Sequence, residues 1–142
     1  MWRIRQATPQ DYDAVATLWK EVDLGQPDDQ EWRALTEGPA ATLLLAEENG
    51  TLLGTAVAAF DGWRAYIYHV AVAPPYRQRG LAKTLMTEAE EHLRRKGARR
   101  VYVVVHESNT AGLALAAAMG YQPVGDLGFV KELVPSSVPL SA

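Results

Sequence analysis

An anion-binding loop is the strongest chemical signal in the sequence. Residues 70–82 read Val-Ala-Val-Ala-Pro-Pro-Tyr-Arg-Gln-Arg-Gly-Leu-Ala, so a strand passes through two prolines into a loop that opens a helix. At that helix start, unpaired backbone N–H groups and the positive end of the helix dipole meet Arg77 and Arg79. Gly80 and Ala82 leave phosphate oxygens room to reach the amides. The spacing predicts a diphosphate site; the alternative is a helix that starts with Gly and Ala for packing alone.

The elements around this loop predict a mixed α/β fold. Strands are expected at 2–6, 41–46, 51–60, 64–72 and 101–105, helices at 9–22, 28–36, 79–96 and 109–119, and a final hairpin at 121–124 and 129–133. Asn49-Gly50 is a strong hairpin signal. The strand, helix and strand at 64–105 predict a parallel crossover. The β-branched run Val101–Val105 is typical of a strand buried on both faces.

The amino-acid composition limits the classes of protein to which this chain can belong. A chain of 142 residues with 48% apolar and 22% charged side chains is expected to form one soluble domain, at 1–134, followed by a short tail at 135–142. The absence of cysteine excludes disulfides and thiolate catalysis, and the three histidines lack metal-ligand spacing, so no metal is expected. Without an apolar run long enough for a membrane span, the expected location is cytoplasmic.

The charges are divided unevenly along the chain. Residues 1–61 carry four basic and eleven acidic side chains, whereas residues 62–142 carry ten basic and six acidic ones. This division suits an anion held by the C-terminal half and a cation attracted by the N-terminal half, although solvated faces can segregate without function. No basic stripe with interleaved aromatic residues is present, so nucleic acid is not an expected partner.

Two motifs give the sequence a resemblance to the GNAT-type N-acetyltransferases. The family's acetyl-CoA signature, Arg/Gln-x-x-Gly-x-Gly/Ala, is matched by Arg77, Gly80 and Ala82, and its second signature by Asn109 followed by Gly120-Tyr121. The resemblance covers the whole chain and implies a GNAT fold, in which a mostly antiparallel twisted sheet of six to seven strands and about four helices contains a parallel βαβ crossover. Within the family, Leu18-Trp19, Asp23-Leu24 and Asp61-Gly62-x-Arg64 most resemble the small bacterial YpeA-like acetyltransferases.

The resemblance implies how acetyl-CoA binds. Val70, Ala71 and Val72 belong to the strand along which the pantetheine arm would lie, and the backbone of that strand would pair with the arm. The amides of residues 78–82, which are Gln78, Arg79, Gly80, Leu81 and Ala82, would hold the pyrophosphate. Asn109 would contact the cofactor near the thioester, while also serving as a helix N-cap. The amide of Val72 or a neighbour would polarise the thioester carbonyl.

The implied reaction is direct attack of an amine on the acetyl thioester. The family's usual acid is a tyrosine seven residues after the Asn, a position that holds Ala116 in this chain. Water, another phenol or a loss of catalysis are the alternatives, and protonation by water is favoured because a thiolate leaves readily. Glu107 is the first candidate for the base, directly or through water, followed by Tyr68 and then His69. Alternation along the strand places Tyr68 on the side of Val70 and His69 on the other.

The same resemblance places substrate selection opposite the cofactor. Asp23 and Asp61 could receive a cationic amine, Arg64 a carboxylate, and Trp32 could wall a pocket. The expected acceptor is a small-molecule, amino acid or peptide amine, and the resemblance leaves room for a homodimer. Two alternatives stay open: a protein Nα-acetyltransferase, and a non-catalytic acyl-CoA-binding protein on the same fold.

Overall fold

A computed structural model describes residues 1–134 of the chain, so the predicted tail at 135–142 lies outside the described residues. In the described part the strands are β1 (Arg3–Gln6), β2 (Ala41–Glu48), β3 (Thr51–Phe60), β4 (Ala65–Val72) and β5 (Val101–Val103), and the α-helices are α1 (Tyr12–Glu21), α2 (Asp29–Glu37), α3 (Leu81–Arg95) and α4 (Thr110–Ala118). Short 3₁₀ turns cover Pro9–Asp11 and Pro74–Tyr76. The predicted helices and the first four strands are confirmed within a few residues.

The strands form one mixed sheet in the order in which the chain makes them. The order is β1-β2-β3-β4-β5, with antiparallel pairs everywhere except the parallel pair of β4 and β5. Asn49 and Gly50 turn the chain from β2 to β3 with φ of 52° and 79°, as a two-residue hairpin requires. The α3 crossover supplies the parallel return that the sequence predicts.

Helices cover the two faces of the sheet unequally. The apolar stripe of α3, Leu81, Leu85, Ala89 and Leu93, packs on one face against β3 and β4 side chains such as Ala56 and Ile67. On the other face, Val15, Leu18 and Trp19 of α1 and Trp32 of α2 pack against Leu43, Leu45 and Val57. This second layer covers β2 and β3, so the first half of β4 and all of β5 carry no helix there.

The C-terminal part of the sheet is smaller than the sequence predicts. Residues 1–134 form five strands and not the six to seven that we expected. Residues 121–134 form no strand, so the predicted hairpin at 121–124 and 129–133 is absent. Pro123, Gly125 and Gly128 interrupt that segment, and each opposes a continuous ladder. The strand predicted at 101–105 and buried on both faces is a three-residue edge strand, with Val104 75% exposed. Its β-branched run has a sheet neighbour on one side only.

Two contacts fix the ends of the first helical layer. Asp28 accepts a hydrogen bond from the Glu31 amide at 2.8 Å and so caps α2, which decides between the two sequence candidates for the cap, Asp28 and Asp29. Arg5 of β1 donates two hydrogen bonds to Asp11 before α1, at 2.9 and 2.8 Å, and lowers the pKa of that carboxyl to about 2. Among the described helices none combines the length and apolar character needed to cross a membrane.

Candidate active site

An open backbone edge runs along the second half of β4. The parallel pairing with β5 covers Ala65, Tyr66 and Ile67 and ends opposite Val103. The chain after β5 turns toward α4, where the Val105 side chain approaches Gly112. We call the point where β4 and β5 part, after Ile67, the splay. Beyond the splay, residues Tyr68–Val72 have a sheet neighbour only in β3.

Alternation along β4 decides which of its backbone groups face this edge. The amide of Ala73 donates to Leu53 at 2.8 Å, and the Ala71 carbonyl faces Gly54, so these residues bond toward β3. The Val72 carbonyl points the other way and accepts from Nε of Arg77 at 3.2 Å. The peptide groups of Val70 and Val72 are therefore directed to the open edge, whereas that of Ala71 is used by β3.

The loop Arg77–Ala82, called here the phosphate loop, presents a row of backbone amides. Gln78 and Gly80 adopt φ of 64° and 79°, which curls the chain into the start of α3. The first helical hydrogen bond runs from the Thr84 amide to the Gly80 carbonyl at 3.1 Å, so the amides at 81, 82 and 83 have no carbonyl within the helix. Arg77 and Arg79 are exposed beside them, and Arg79 lies 5.5 Å from the ring centroid of Tyr76. The loop has the amides and the charge that a pyrophosphate needs.

A β-bulge lies in the second half of β4. His69 has φ of 49°, and the pairing with β3 shifts between Thr55 and Val57. A buried chain of hydrogen bonds holds the bulge: Trp19 Nε1 donates to Thr55 Oγ1 at 2.8 Å, and Thr55 Oγ1 donates to the His69 carbonyl at 2.9 Å. Thr55 is completely buried, so both bonds are shielded from water.

The bulge overturns the side-chain alternation predicted for this strand. Val70 packs in the layer beneath α3, whereas Tyr68 is paired with Val57 on the opposite face. His69 contacts Trp19 and therefore shares the face of Tyr68. The prediction that Tyr68 and Val70 share one side and His69 takes the other was wrong, because the extra residue at the bulge shifts the two-residue period by one.

The imidazole of His69 is held between α1 and the loop that follows it. Its Nε2 lies 3.0 Å from the Gly25 carbonyl, and its ring is 4.6 Å from Trp19 and 5.7 Å from Tyr68, edge to face in both cases. Burial lowers the pKa of His69, against the smaller opposing effect of the Gly25 hydrogen bond. A neutral imidazole that donates from Nε2 keeps its lone pair on Nδ1, so His69 can accept a proton there.

The other residues predicted for proton transfer differ in their surroundings. Glu107 is exposed on the loop between β5 and α4. Tyr68 is 37% exposed, and burial of its ring raises the pKa of the phenol, which keeps it protonated at neutral pH. Ala116 lies within α4, and Tyr121 beyond it donates to Glu90 at 2.5 Å. Burial and that carboxylate raise the pKa of Tyr121, so this phenol is not a replacement for the tyrosine that position 116 lacks.

Asn109 and the predicted substrate residues fall into two groups. Asn109 caps α4, with Oδ1 accepting from the Gly112 amide at 2.9 Å. Asp23 is exposed at the end of α1, and Arg64 is exposed before β4. Asp61 accepts from the amides of Trp63 and Arg64, both at 2.8 Å, and these bonds lower its pKa. Trp32, in contrast, is 6% exposed and donates to the Pro9 carbonyl at 3.1 Å, so it supports the core and lines no open pocket.

Sequence reasoning missed three residues of this region. Thr55 and Trp19 hold the bulge across a separation of 36 residues, which no local pattern reveals. Tyr102 is brought beside Tyr66 by the parallel register, and the two rings stack at 5.4 Å. The alternating aromatic residues in β4 were visible in the sequence, but the identity of their neighbour across the sheet was not.

Comparison with known proteins assigns this arrangement to a family. Residues 4–121 match the acetyltransferase (GNAT) family model. The acetyltransferase ECA0875 of Pectobacterium atrosepticum is 33% identical over 135 residues, which are 92% of this chain and 95% of that protein. The chain belongs to the GNAT family and is by that membership an acetyl-CoA-dependent N-acetyltransferase.

Solved structures share the fold at lower identity. The aminoglycoside acetyltransferase AAC(6')-Iy, in complex with the bisubstrate analogue CoA-S-monomethyl-acetylneamine, superposes with a TM-score of 0.79 at 22% identity, over 93% of this chain and 98% of the other. An acetyltransferase from Clostridium acetobutylicum, solved with acetyl-CoA, superposes with a TM-score of 0.76 at 17% identity, over 92% and 96% of the two chains.

Proposed function

We propose that this protein transfers the acetyl group of acetyl-CoA to the primary amine of a small molecule, an amino acid or a peptide, by direct attack of the amine on the thioester. The observation that carries the proposal is the open edge of β4 leading directly into the phosphate loop. An extended pantetheine arm can pair with Val70 and Val72 while its pyrophosphate meets the amides of α3. The bound cofactor supplies the activated acetyl group.

Residues near the splay, and water, supply the oxyanion donor, the base and the acid of the proposed reaction. The amide of Val72 or its neighbour donates to the oxygen on which negative charge develops. We propose His69 as the base, ahead of Glu107 and Tyr68, because its ring lies beside Trp19 on the face opposite α3 and Nδ1 is the nitrogen not hydrogen-bonded to Gly25. Asn109 shapes the start of α4 at the far side of the splay. Water protonates the departing thiolate, since the residues beside α4 offer no free phenol.

Acceptor chemistry and subgroup are further parts of the proposal. AAC(6')-Iy with its bisubstrate analogue and the acidic loop after α1 both favour a cationic amine acceptor of modest size. We also propose membership of the YpeA-like subgroup, on the residues quoted above.

Two alternative functions are a protein Nα-acetyltransferase and a non-catalytic acyl-CoA-binding protein. Turnover that is faster with peptides than with free amines supports the first, and CoA binding without turnover supports the second.

The test is calorimetric titration of CoA into a variant with a charged phosphate loop. Gly80→Glu fills and negatively charges the pyrophosphate position, so affinity for CoA is expected to fall by about 100-fold or more. Gly97→Glu is the matched control, because Gly97 also has positive φ and open space, at the other end of α3. Equal CoA affinity in the two folded variants would contradict the assigned cofactor site. Thiol release across an acceptor panel then measures turnover.

A further inference from the structure

An uncovered row of rings extends from the splay along the face of the sheet opposite α3. Tyr68 and Tyr66 alternate on this face of β4, Tyr102 of β5 stacks on Tyr66, and Trp63 precedes the strand. Tyr66 and Tyr68 are each 37% exposed and Trp63 is 78% exposed. We call these four residues the aromatic face. Helices α1 and α2 pack on β2 and β3 instead, so within residues 1–134 the aromatic face is left partly exposed.

Arg64 lies at the end of this face that is distant from the splay. Its guanidinium carbon is 4.8 Å from the ring centroid of Trp63 and 6.0 Å from that of Tyr102. Such stacking restrains an arginine without neutralising it. Among residues 1–134 no carboxylate lies within ion-pair distance of Arg64. The carboxylate of Asp61 accepts the Arg64 and Trp63 amides, and these bonds lower its pKa, with a smaller contribution from the charge of Arg64. The side chain is a fixed cation with donors left for an anion.

The opposite end of the face is acidic. His69 hydrogen-bonds Gly25 and thereby holds the loop of residues 22–28 beside the splay. That loop carries Asp23 and ends at Asp28, and it contains no basic side chain. A ligand on the aromatic face therefore meets negative charge near the splay and positive charge at Arg64. This polarity orients a molecule with an amine at one end and an anionic group at the other.

The spacing sets the length of that molecule. Tyr66 and Tyr68 are two residues apart on a strand, about 7 Å, and the Arg64 guanidinium reaches only as far as the Tyr102 ring beside Tyr66. An amine at the splay is then on the order of 10 Å from the guanidinium. In an α-amino acid the two charged groups are bonded to one carbon, so it cannot reach both ends.

We propose that the acceptor is an elongated ω-amino carboxylate, whose amine enters the splay while its spacer lies on Tyr66 and Tyr102 and its carboxylate binds Arg64. This inference rests on the proposed acetyl transfer, since that reaction places the reactive amine at the splay. Two sources supply the chemistry: an aliphatic ω-amino acid, or a short peptide of about three residues, which spans about 10 Å from its amine to its carboxylate.

The experiment uses acceptors that differ in one feature at a time. Acetyl-CoA-dependent thiol release and calorimetric binding to the CoA-loaded protein are measured for 8-aminooctanoate, 4-aminobutanoate, octylamine, triglycine and triglycine amide. We expect 8-aminooctanoate to have a KM on the order of 10-fold below those of 4-aminobutanoate and octylamine. Preference for triglycine over its amide shows that a peptide also needs its carboxylate. A lower KM for triglycine than for 8-aminooctanoate identifies a peptide source, and the reverse order identifies an aliphatic one.

Charge reversal supplies the decisive comparison. Arg64→Glu is expected to lose the preference for 8-aminooctanoate and to gain one for 1,8-diaminooctane, whereas Arg95→Glu, an equal charge change on the other face of the sheet, keeps the wild-type order. KM values independent of length, carboxylate and Arg64 would overturn the inference while leaving acetyl transfer intact. Carboxylate-dependent binding without thiol release would support the ω-amino carboxylate as a ligand of this face and would contradict acetyl transfer to it. If Arg64→Glu dissociates a dimer in sedimentation and leaves acceptor binding unchanged, a second copy occupies the face and the inference fails.

Discussion

His69 uses one ring nitrogen for a hydrogen bond within the protein, and the other is the atom that the proposed base would use. The Gly25 carbonyl fixes the Nε2 proton, and burial holds the pKa of the imidazole below its ordinary 6.5. A base with a lowered pKa is weaker but stays unprotonated at mildly acidic pH. At neutral pH the imidazole is therefore unprotonated and available as a proton acceptor.

Replacing this imidazole tests the assignment. His69→Gln is expected to lower kcat by about 100-fold, within the range that general base catalysis supplies, while Glu107→Gln stays near wild type. Because the pKa of His69 is lowered, the acid limb of the wild-type kcat profile should fall below pH 6.5 and should be missing from His69→Gln. Steady-state kinetics at saturating acceptor give both readouts. A large loss in Glu107→Gln with wild-type kinetics in His69→Gln would move the base to the loop before α4.

At the scale of elements, β4 owes its function to an irregularity. The bulge at His69 turns one residue from the α3 side to the acceptor side, and the buried Trp19–Thr55 pair stabilises it. Removing a buried hydroxyl that both donates and accepts leaves two polar groups without partners, and each costs about 1–3 kcal/mol. The bulge therefore links the stability of the fold to the geometry of the site.

Thr55→Val isolates this link, since it keeps the shape of the side chain and removes the hydroxyl. We expect the free energy of unfolding to fall by about 2 kcal/mol and kcat to fall with it, because His69 loses its anchor. Thr51→Val, at the exposed start of the same strand, serves as control and should change neither. Urea unfolding and kinetics are measured on the same preparations. A destabilised Thr55→Val enzyme with unaltered kcat and pH profile would show that the bulge does not position the base.

The junction between β1 and α1 depends on a carboxylate. The pKa of Asp11, lowered from 3.8 to about 2 by its hydrogen bonds from Arg5, means that the folded state prefers the ionised form. Its stabilisation is present above pH 3.8 and is lost as the pH falls through 2. Asp11→Asn should therefore lower the free energy of unfolding by about 1 kcal/mol at pH 7, the partial exposure of the pair being allowed for. Urea titrations at pH 7 and pH 2 check this, since Asp11 is about half protonated at the lower pH and the difference from wild type should be much smaller there.

Local signals explain which elements the sequence could predict. Asn49-Gly50, Asp28 and Asn109 each act within four residues of their partners, so the hairpin and the two helix caps were accessible from the sequence. The phosphate loop was accessible for the same reason. The bulge was not, because the two-residue period of β4 continues unchanged through His69, and Thr55 lies 14 residues from it. The Val101–Val105 run indicates a strand, but it cannot indicate that this strand lies at the edge of the sheet formed by residues 1–134.

In the folded molecule, the acidic N-terminal part of the sequence and the basic phosphate loop lie in different places. The acidic N-terminal part forms the helical layer and loop on one face of the sheet, while the arginines of the phosphate loop lie beyond the end of β4. A cationic amine and an anionic cofactor are thus attracted to different sides of the splay. Such attraction acts over about 8–10 Å at ordinary salt concentrations and is weakened by added salt.

Ionic strength should reveal this attraction. We expect the acceptor KM to rise with salt in the wild-type protein, and Asp23→Asn to raise KM about 3-fold at low salt and to flatten that dependence, with kcat unchanged. Asp126→Asn removes the same charge from the C-terminal segment and should behave as wild type. Steady-state kinetics from low to high salt give the comparison. A KM that responds equally in the two variants would assign the salt effect to net charge alone.

The order of the sheet, which follows the order of the chain, bears on how the protein folds. The pairs β2-β3 and β3-β4 are joined by connections of two and four residues, so these pairings close short loops at low entropic cost. The pairing of β1 with β2 spans α1 and α2, and the pairing of β4 with β5 must wait for the whole α3 crossover. A chain emerging from the ribosome can therefore complete the meander that holds the bulge before the last parallel pair forms. The splay is then the part of the sheet assembled last, against a framework already in place.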